Sequence, residues 1–600
     1  MKIILSVIAI FIAILDVYSQ DSTYNLPDVV VTAGRTPVSF NELTRCVEVI
    51  TAEDLQNIPA SSVPDVLQYA AGVDVRQRGT EGVQADVSIR GGSFEQTLIM
   101  VDGVKISDPQ TGHHNMNLPV SLNDIERIEI LKGQGAKSFG ANAFSGVINI
   151  ITKKNKSNNL NLHSLGGENG LYEIGLGTSY AIGNLNNNIS FNRKKSDGYR
   201  YNTAFKQYDV NYNSSFQFGR SSINILAGHI DNEFGANGFY TTSPEQWEHL
   251  VTSVASANAE IHSGFFTVTP KISWRKNKDR YLLNYKIPSL YENNHTTNVF
   301  NYELQVSFAT AAGITSFGGE INQDKIKSSN LGNHSRKTYG IFAEHKLVLL
   351  NNLNLSAGLF AYNYPVIGWK YWPGFDFSYV FSGGFRLYGS AGRAFRIPSF
   401  TDLYYNGGGS EGNPNLKHEE TTNYEAGLFW VQKTLSCNLS LFRKEGKNII
   451  DWFYIPVTNV WKADNVSKIT TNGIEVNLNF YPVKNDYIYQ LGMSYTYLDI
   501  TKETKSLLSR YMPDHLRHQA VLNIGNYLPF NIKQSWMFRF EDRVNSSDDF
   551  IVDSRLGYKI SVFEMFLKAT NLFNKSYRDM QLIPLPGRWI SAGVTMTINY

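Results

Sequence analysis

The sequence predicts a transmembrane β-barrel of about 22 antiparallel strands, occluded by a small N-terminal α/β plug domain. Residues 47–154 are glycine-rich with a mixed α/β pattern, whereas apolar and polar side chains alternate in much of residues 155–600. Aromatic residues make up 13% of the chain, as suits a barrel with aromatic girdles at both membrane interfaces. After the N-terminus no apolar run is long enough for a transmembrane helix.

The first 19 residues have the pattern of a secretory signal peptide. Lys2 supplies a positive charge, residues 3–15 form an apolar run, and Val17 and Ser19 are small residues at the recognition positions. We therefore predict cleavage after Ser19 and an exported protein. The two cysteines, Cys46 and Cys437, are too far apart in sequence to indicate a disulfide framework or a metal site.

Residues 20–46 form a polar linker that contains one β-prone run. The run has no sequence neighbour that would obviously pair with it, and it consists of Asp28, Val29, Val30, Val31, Thr32 and Ala33. A strand-like segment of this kind can add to the edge of a partner's sheet.

Residues 47–154 read as one compact domain. Ser62 is placed to cap a short helix, with Pro64 in its first turn and Asp65 at the capping-box position. The apolar run 98–101 reads as a strand, and the following Asp102 and Gly103 read as a turn. These signals predict a single small domain.

The barrel prediction for residues 155–600 depends on a period of two. Around residues 474–480, for example, apolar side chains alternate with Glu475, Asn477 and Asn479. At about 20 residues for each strand with its loop, the segment holds about 22 strands. The final segment, 590–600, has one apolar face and ends on Tyr600, as suits a last membrane strand. We find no fixed-period repeat that would indicate a propeller or solenoid.

Several short motifs resemble those of TonB-dependent outer-membrane receptors. In order along the chain they are residues 66–73, 89–91, 101–104, 125–133, 139–140, 145–152, 395–400, 413–416 with Glu419, 473–475 and 571–574. The run 28–33 resembles the TonB box of that family. The resemblance implies an outer-membrane location and import without covalent chemistry, so we expect no enzyme. It also implies three partners: the periplasmic C-terminal domain of TonB, a large nutrient ligand and outer-membrane lipid. A surface lipoprotein is a further candidate partner.

Within the family, the sequence is most similar to the cobalamin receptors. The similarity covers residues 28–35, 72–79 and 413–416, although siderophore receptors share these short motifs. Haem receptors place a histidine between two barrel motifs, and residues 399–412 contain none. Cobalamin is thus the preferred ligand, with ferric siderophore and haem as alternatives. Calcium stays open as a cofactor, because no aspartate cluster for the calcium loops of that branch stands out.

Two places are candidates for ligand contact. The first is a polar loop between two plug strands, expected at the outward apex of the plug, and its candidates are Asp108, Gln110, His113, His114, Asn115 and Asn117. An imidazole there could bind cobalt or iron, or the loop could simply pack against the barrel wall. The second is Tyr404 and Tyr405, whose rings could stack on a large ligand or belong to a girdle. We predict no metal site.

Charged and glycine residues of the plug are predicted to act structurally or as conformational switches. Charges enclosed by a barrel must pair, because lone buried charges are costly. These residues are Arg90, Gly91, Asp102, Gly103, Glu126, Arg127, Glu129, Lys132 and Gly133.

Three other function classes fit the sequence less well. The net charge of +2 argues against a nucleic-acid partner. Residues 408–412 match the spacing of a serine hydrolase nucleophile, but they lie in a glycine-rich loop instead of between a strand and a helix. A passive porin would need neither a plug nor the run at residues 28–33.

Overall fold

The structure is a computed structural model. It describes residues 30–32, 34–36, 38–39, 43–154, 157–350, 352–365, 367–482, 487–503, 508–510, 515–580 and 583–600. The predicted signal peptide and the residues Asp28, Val29 and Ala33 of the proposed TonB box lie outside these ranges. No described helix is both long enough and apolar enough to cross a membrane.

The N-terminal part is a compact α/β domain built on a five-stranded mixed sheet. The sheet order is β3-β8-β9-β6-β7, and β4 pairs with β5 beside it. The strands are β3 Val47–Thr51, β4 Val73–Gln77, β5 Ala85–Ile89, β6 Thr97–Val101, β7 Val104–Lys105, β8 Ile125–Lys132 and β9 Gly146–Thr152. The helices are α1 Ala52–Asn57, α2 Val63–Leu67 and α3 Ala136–Phe139, with 3₁₀ turns at Phe94–Gln96, Gly112–His114 and Leu122–Asp124.

The predicted cap of α2 is confirmed, because Ser62 Oγ accepts a hydrogen bond from the Asp65 amide and Pro64 lies in the first turn. The helix buries Val66 and Leu67 completely in the domain core.

The C-terminal part is a closed antiparallel barrel of 22 strands within the described residues, which confirms the predicted fold class. Strand β33 pairs with β10 and closes the barrel. The strands are β10 Asn159–Gly167, β11 Tyr172–Ile182, β12 Leu185–Ser196, β13 Phe205–Phe218, β14 Ser221–Gly235, β15 Trp247–Ser263, β16 Phe266–Leu282, β17 Glu292–Thr310, β18 Gly313–Ser328, β19 Gly332–Leu349, β20 Leu353–Tyr364, β21 Gly368–Val380, β22 Phe385–Arg396, β25 Glu419–Gln432, β26 Leu435–Ile455, β27 Val460–Phe480, β28 Ile488–Glu503, β29 Leu516–Leu528, β30 Ile532–Arg543, β31 Asp549–Ile560, β32 Phe563–Thr570 and β33 Trp589–Asn599.

Short elements decorate the connections of the barrel. They are the strands β23 Asn406–Gly407 and β24 Ser410–Glu411, the helix α4 Phe400–Tyr404, and 3₁₀ turns at Pro288–Leu290, Ser382–Gly384 and Pro529–Asn531. Because Ser410 lies in a two-residue strand that no helix follows, it does not occupy a nucleophile elbow.

The alternation read from the sequence is the inside–outside alternation of the barrel. On β27, Ile474 is exposed on the outer face, whereas its neighbour Glu475 is fully buried inside. Short turns join the strands at one end, which is the periplasmic end in such barrels, and longer connections such as 236–246, 397–418 and 571–588 lie at the other, outer end.

One sequence-based expectation about the linker is wrong. The run at residues 28–33 was expected to lack a local partner, but Val30–Val31 (β1) pairs antiparallel with Val38–Ser39 (β2). The chain between them turns back, so two short segments satisfy each other's backbone groups.

A buried charge network fixes the plug to the barrel. Arg90 forms ion pairs with Glu425 at 2.9 Å and with Glu475 at 2.8 Å, and its guanidinium lies 4.0 Å from the ring centre of Phe442. Lys132 reaches Glu475 at 3.5 Å from the other side. Gly91, which follows Arg90 in the chain, has a φ of +65°. A Cβ at this position would lie 2.6 Å from the side chain of Ile500. Both the positive φ and the close approach to the wall favour glycine at this position.

Replacement of Arg90 by alanine should destabilise the plug strongly. The substitution leaves two buried carboxylates, Glu425 and Glu475, without their main cation, a change that costs about 3–5 kcal/mol. We expect a lower unfolding temperature for the plug in calorimetry and increased entry of large antibiotics into cells.

Glu126→Ala is the matched control, because the Glu126–Arg127 pair is also at 2.8 Å but the Glu126 side chain is 47% exposed. Exposed pairs contribute about 0–1 kcal/mol. Equal effects of the two substitutions would contradict the assignment of the network.

Candidate functional site

A cavity of 110 Å³ lies between the plug and the barrel wall towards the outer end. Its plug residues come from β4, β5 and the loop that follows Gly91, and its barrel residues come mainly from β26–β28. The charged, aromatic and sulfur-containing side chains of the lining are Asp74, Arg76, Asp86, Phe94, Phe144, Lys444, Asp451, Lys502, His515 and Met580. The mixture suits a ligand with both apolar and polar surfaces.

Lys444 is a buried lysine of this cavity. Its Nζ donates hydrogen bonds to the Arg90 carbonyl at 3.1 Å and to Ser145 Oγ at 3.3 Å. No carboxylate among the described residues forms an ion pair with it. A buried ammonium group with only neutral acceptors would favour an anionic or strongly polar ligand group.

On the plug side, Asp86 holds a cluster of its own. It forms ion pairs with Arg78 at 2.9 Å and with His113 Nδ1 at 2.7 Å, and the His113 ring stacks on Phe94 at 4.3 Å. Burial opposes the ionised carboxylate, but the neighbouring His113 and Arg78 lower the pKa of Asp86 far below its usual range. Of the two predicted histidines, His113 is thus the one that contacts the cavity lining, through Phe94 and Asp86.

The remaining candidates of the loop 108–117 pack against the barrel wall at its outer end. Asp108 pairs with Arg275 at 2.8 Å, Gln110 donates to Asp279 at 2.7 Å, and Asn117 donates to Thr252 at 2.8 Å. Asn115 Oδ1 accepts from the Asp108 amide at 2.8 Å and so shapes the loop itself.

The contact between the loop 108–117 and the barrel wall forms a seam, and His114 is buried in it. Its Nε2 is 3.0 Å from Glu248 Oε1, and the side chains of His114 and Glu248 are both only 2% exposed. Burial alone would lower the pKa of His114, but the carboxylates of Asp279, Glu248 and Asp108 raise it to about 9. The carboxylates of this seam therefore favour the protonated, positively charged form of His114.

Tyr404 and Tyr405 belong to the outer connection 397–418. The Tyr404 ring stacks on His334 with 3.6 Å between centroids, and Tyr405 meets Trp452 edge-on at 6.2 Å. Both tyrosines are partly buried and pack beside an apolar cluster that the connection forms with strands β26 and β27.

The same connection is anchored by Arg396, the arginine of the motif at 395–400. Arg396 pairs with Glu419 at 2.8 Å, with Asp402 at 3.1 Å and also with Glu95 of the plug. The amides of Phe400 and Thr401 donate to the carbonyls of Pro109 and Gln110. This outer connection is thus tied directly to the predicted apex loop.

The proposed TonB box is held against the plug at Thr32. Its amide and Oγ1 donate to Glu129 Oε2 at 2.9 and 2.7 Å, and Asn149 Nδ2 donates to Thr32 Oγ1 at 2.9 Å. Three residues further, Arg35 pairs with Glu303 at 2.9 Å and lies 3.4 Å from the ring centre of Phe342.

The other predicted plug residues have defined partners or turns. Asp102 has a φ of +48° and accepts from the Thr152 amide at 3.0 Å, while Gly103 and Gly133 have φ of +75° and +78°. Arg127 pairs with Glu129 at 2.9 Å, and Lys132 pairs with Glu48 at 2.9 Å. Their roles as structural or switch groups stay a prediction.

A second, larger cavity of 1150 Å³ separates the plug from another part of the wall. It is lined by α1, the loop 116–125, strands β10–β13 and strands β29–β33, including residues of their periplasmic turns such as Asn531 and Ser561. At its upper side, Lys194 pairs with Glu81 at 3.2 Å, and Lys568 donates to Ser61 at 2.6 Å.

Sequence reasoning missed the barrel residues that line the 110 Å³ cavity and those that surround His114. Lys444, Glu248 and Asp279 alternate with outward-facing residues, and that period marks them as lumen residues. Nothing in a single sequence indicates which plug residue each one meets, because the pairing depends on how the plug is rotated in the barrel.

The fold defines a class of membrane protein: an outer-membrane barrel closed by its own plug domain. A family model described as the TonB-dependent receptor plug domain matches residues 40–147, and one described as the TonB-dependent receptor-like β-barrel matches residues 147–572. The chain belongs to the TonB-dependent receptor family. It is an outer-membrane receptor and not an enzyme. Receptors of this family interact with TonB and bind large nutrient ligands.

The relatives by sequence include two vitamin B12 transporters named BtuB. That of Vibrio vulnificus (strain YJ016) is 24% identical over 75% of this chain and 75% of its own length. That of Photobacterium profundum is also 24% identical and covers 80% of both.

Two solved structures with a similar fold are named for siderophores and copper and not for vitamin B12. The siderophore receptor PirA of Pseudomonas aeruginosa superposes with a TM-score of 0.73 at 18% identity, covering 92% of this chain and 99% of that one. The copper transporter OprC gives a TM-score of 0.77 at 15% identity, covering 92% and 98%. At such identities the likeness shows the fold alone.

Replacement of Arg396 by glutamine should release the outer connection 397–418. The variant keeps a polar side chain but removes the cation that Glu419, Asp402 and Glu95 share. We expect faster hydrogen–deuterium exchange throughout residues 397–418, because the connection loses its anchor to both barrel and plug.

Arg393→Gln is the control for this experiment, because Arg393 lies on the same strand with an exposed side chain. Unchanged exchange in the Arg396 variant, or an equal rise in both variants, would contradict the anchoring role.

Proposed function

We propose that this receptor imports a corrinoid of the cobalamin type by TonB-coupled active transport. The observation that supports active transport is the plug domain. It occludes the lumen, and buried ion pairs hold it to the barrel wall. Preference for a corrinoid rests on the sequence relatives, which are named vitamin B12 transporters. Ferric siderophore is the second candidate, favoured by the buried lysine Lys444, whose ammonium form would attract an anionic chelate.

Coupling to TonB would use the strand-forming run at residues 28–33. Val30 and Val31 already form a short strand with residues 38–39. Thr32 ties this strand to Glu129 on β8. A partner strand that pairs with the run in place of β2 could therefore pull on the plug sheet through the chain itself.

Ligand binding would involve the outer connections more than the cavity alone. A volume of 110 Å³ is below that of typical small-molecule pockets, which is about 300–1,000 Å³. A corrinoid must therefore rest on the outer surface above Phe94 and Lys444, or the connections 397–418 and 571–588 must open. Haem stays a candidate ligand because His515 lines the cavity and haem iron takes an axial imidazole.

Equilibrium binding to the purified receptor tests the ligand. We expect cobalamin to bind in the nanomolar range, and a ferric siderophore and haem to bind far more weakly under the same conditions. Phe94→Ala should weaken the binding of cobalamin about tenfold, because it removes apolar contact at the cavity floor, a change of order 1–2 kcal/mol. Tight binding of an iron chelate without cobalamin binding would overturn the corrinoid assignment and keep the transporter.

The energy coupling is tested separately with Val30→Pro. Proline has no backbone N–H and is excluded from paired strand positions, so strand addition should fail. We expect loss of uptake into cells with unchanged ligand binding. The control Val30→Ala keeps the N–H and should transport normally. Normal transport by the proline variant would refute the assignment of residues 28–33 as the TonB box.

A further inference from the structure

We propose that His114, Glu248 and Asp279 form a binding site for a first-row transition-metal dication, of which Zn²⁺ is the type case. One ligand atom from each of the three residues lies within 4.8 Å of the other two. His114 comes from the plug, whereas Glu248 and Asp279 lie on the adjacent barrel strands β15 and β16. The site joins the plug to the wall at its outer end and is independent of the nutrient proposed above.

The first argument is incomplete neutralisation, because His114 pairs with Glu248 but the group contains two buried carboxylates. Glu248 is 1% exposed and Asp279 is 5% exposed, so both carboxylates are largely removed from water. Within the described chain, no lysine or arginine pairs with either of them. Arg275, a guanidinium on the same strand as Asp279, pairs with Asp108 at 2.8 Å instead. Two buried carboxylates in one place call for a cation, because an uncompensated buried charge is costly.

The second argument is a set of buried polar atoms without hydrogen-bond partners. Asp279 Oδ1, Gln110 Oε1 and His114 Nδ1 are buried, and none has a hydrogen-bond partner among the described residues. Asp279 is held by Gln110 Nε2 at 2.7 Å through its other oxygen only. Native proteins leave few buried polar atoms unsatisfied, and a metal cation that replaces the proton of His114 could take a lone pair from these atoms.

The third argument is orientation by the surroundings. Tyr240 donates its hydroxyl hydrogen to Glu248 Oε2 at 2.7 Å, which leaves Glu248 Oε1 turned towards His114. Metal-binding carboxylates are commonly oriented by such hydrogen bonds from a second layer of residues. Gln110 plays the same part for Asp279.

The ligand set selects the class of metal. One imidazole nitrogen with two carboxylate oxygens is a set that Zn²⁺ and its neighbours accept at about 2.0–2.2 Å, with the Gln110 oxygen or water as a fourth ligand. Calcium takes six to eight oxygen ligands, so a site with one nitrogen and few oxygens disfavours it. The site therefore differs in chemistry from an aspartate-rich calcium loop.

Metal titration of the purified full-length receptor tests the site without any nutrient present. After removal of metal with EDTA, we expect Zn²⁺ to bind with a stoichiometry of one per chain in calorimetry. Co²⁺ should give a visible absorption spectrum typical of mixed nitrogen and oxygen ligands. His114→Gln, Glu248→Gln and Asp279→Asn should each weaken Zn²⁺ binding tenfold or more.

His163→Gln is the matched control. His163 is another histidine of the barrel lumen, with Glu173 at 4.0 Å, but it belongs to no such three-residue group among the described residues. Its substitution should leave Zn²⁺ affinity unchanged. Heat-modifiable migration in gels verifies that each barrel is folded, and the two conservative carboxylate variants keep the test informative should His114→Gln misfold.

Three results would overturn the proposal. They are absence of Zn²⁺ binding, equal binding by the wild type and all three variants, or a preference for Ca²⁺ over Zn²⁺. In the first case His114 would serve only as an imidazolium paired with Glu248. Because the titration contains no corrinoid, siderophore or haem, failure of the proposed transport function would not affect its outcome.

Discussion

Pairing of charges inside a closed barrel is the constraint on which the rest of the structure depends. A barrel of 22 strands encloses a lumen that one small domain must fill, and that domain presents arginine and lysine side chains to the wall. Each such charge needs a partner, because the lumen around the plug is largely shielded from water. Arg90 with Glu425 and Glu475 is the central instance. Lys137 repeats the arrangement on another strand group, with Glu344 and Asp376. These pairs determine the rotation of the plug and hence which side chains meet at the outer end.

The sequence predicted the fold well because the signals for it are local. Alternation with a period of two, the cap at Ser62 and the glycine-rich turns depend on neighbouring residues, and each was found in the structure. The strand pairing of Val30–Val31 was missed because a pair of two-residue strands is too short to give a periodic signal. Strands of that length have no hydrophobic face of their own.

The candidate site could be predicted only in part, for a physical reason. The loop 108–117 was correctly singled out as polar and chemically unusual, but its polarity is turned towards the wall, with Asp108 on Arg275 and His114 on Glu248. A loop that faces a polar lumen and a loop that faces solvent have the same composition. Lys444 and Phe94 could not be brought together from sequence, since 350 positions separate them (444 − 94 = 350) and only the docking of the plug makes them neighbours.

The large cavity along β10–β13 and β29–β33 gives the plug two unequal sides. Most of the ion pairs between plug and wall lie on strands from β15 to β27. On the other side a cleft runs up from the periplasmic turns, and Lys194 and Lys568 bridge it at its upper end. A domain fastened along one side tends to swing about that side when it is pulled from below. Such a swing would widen a cleft that is already present, and the plug could stay in the barrel throughout the transport cycle.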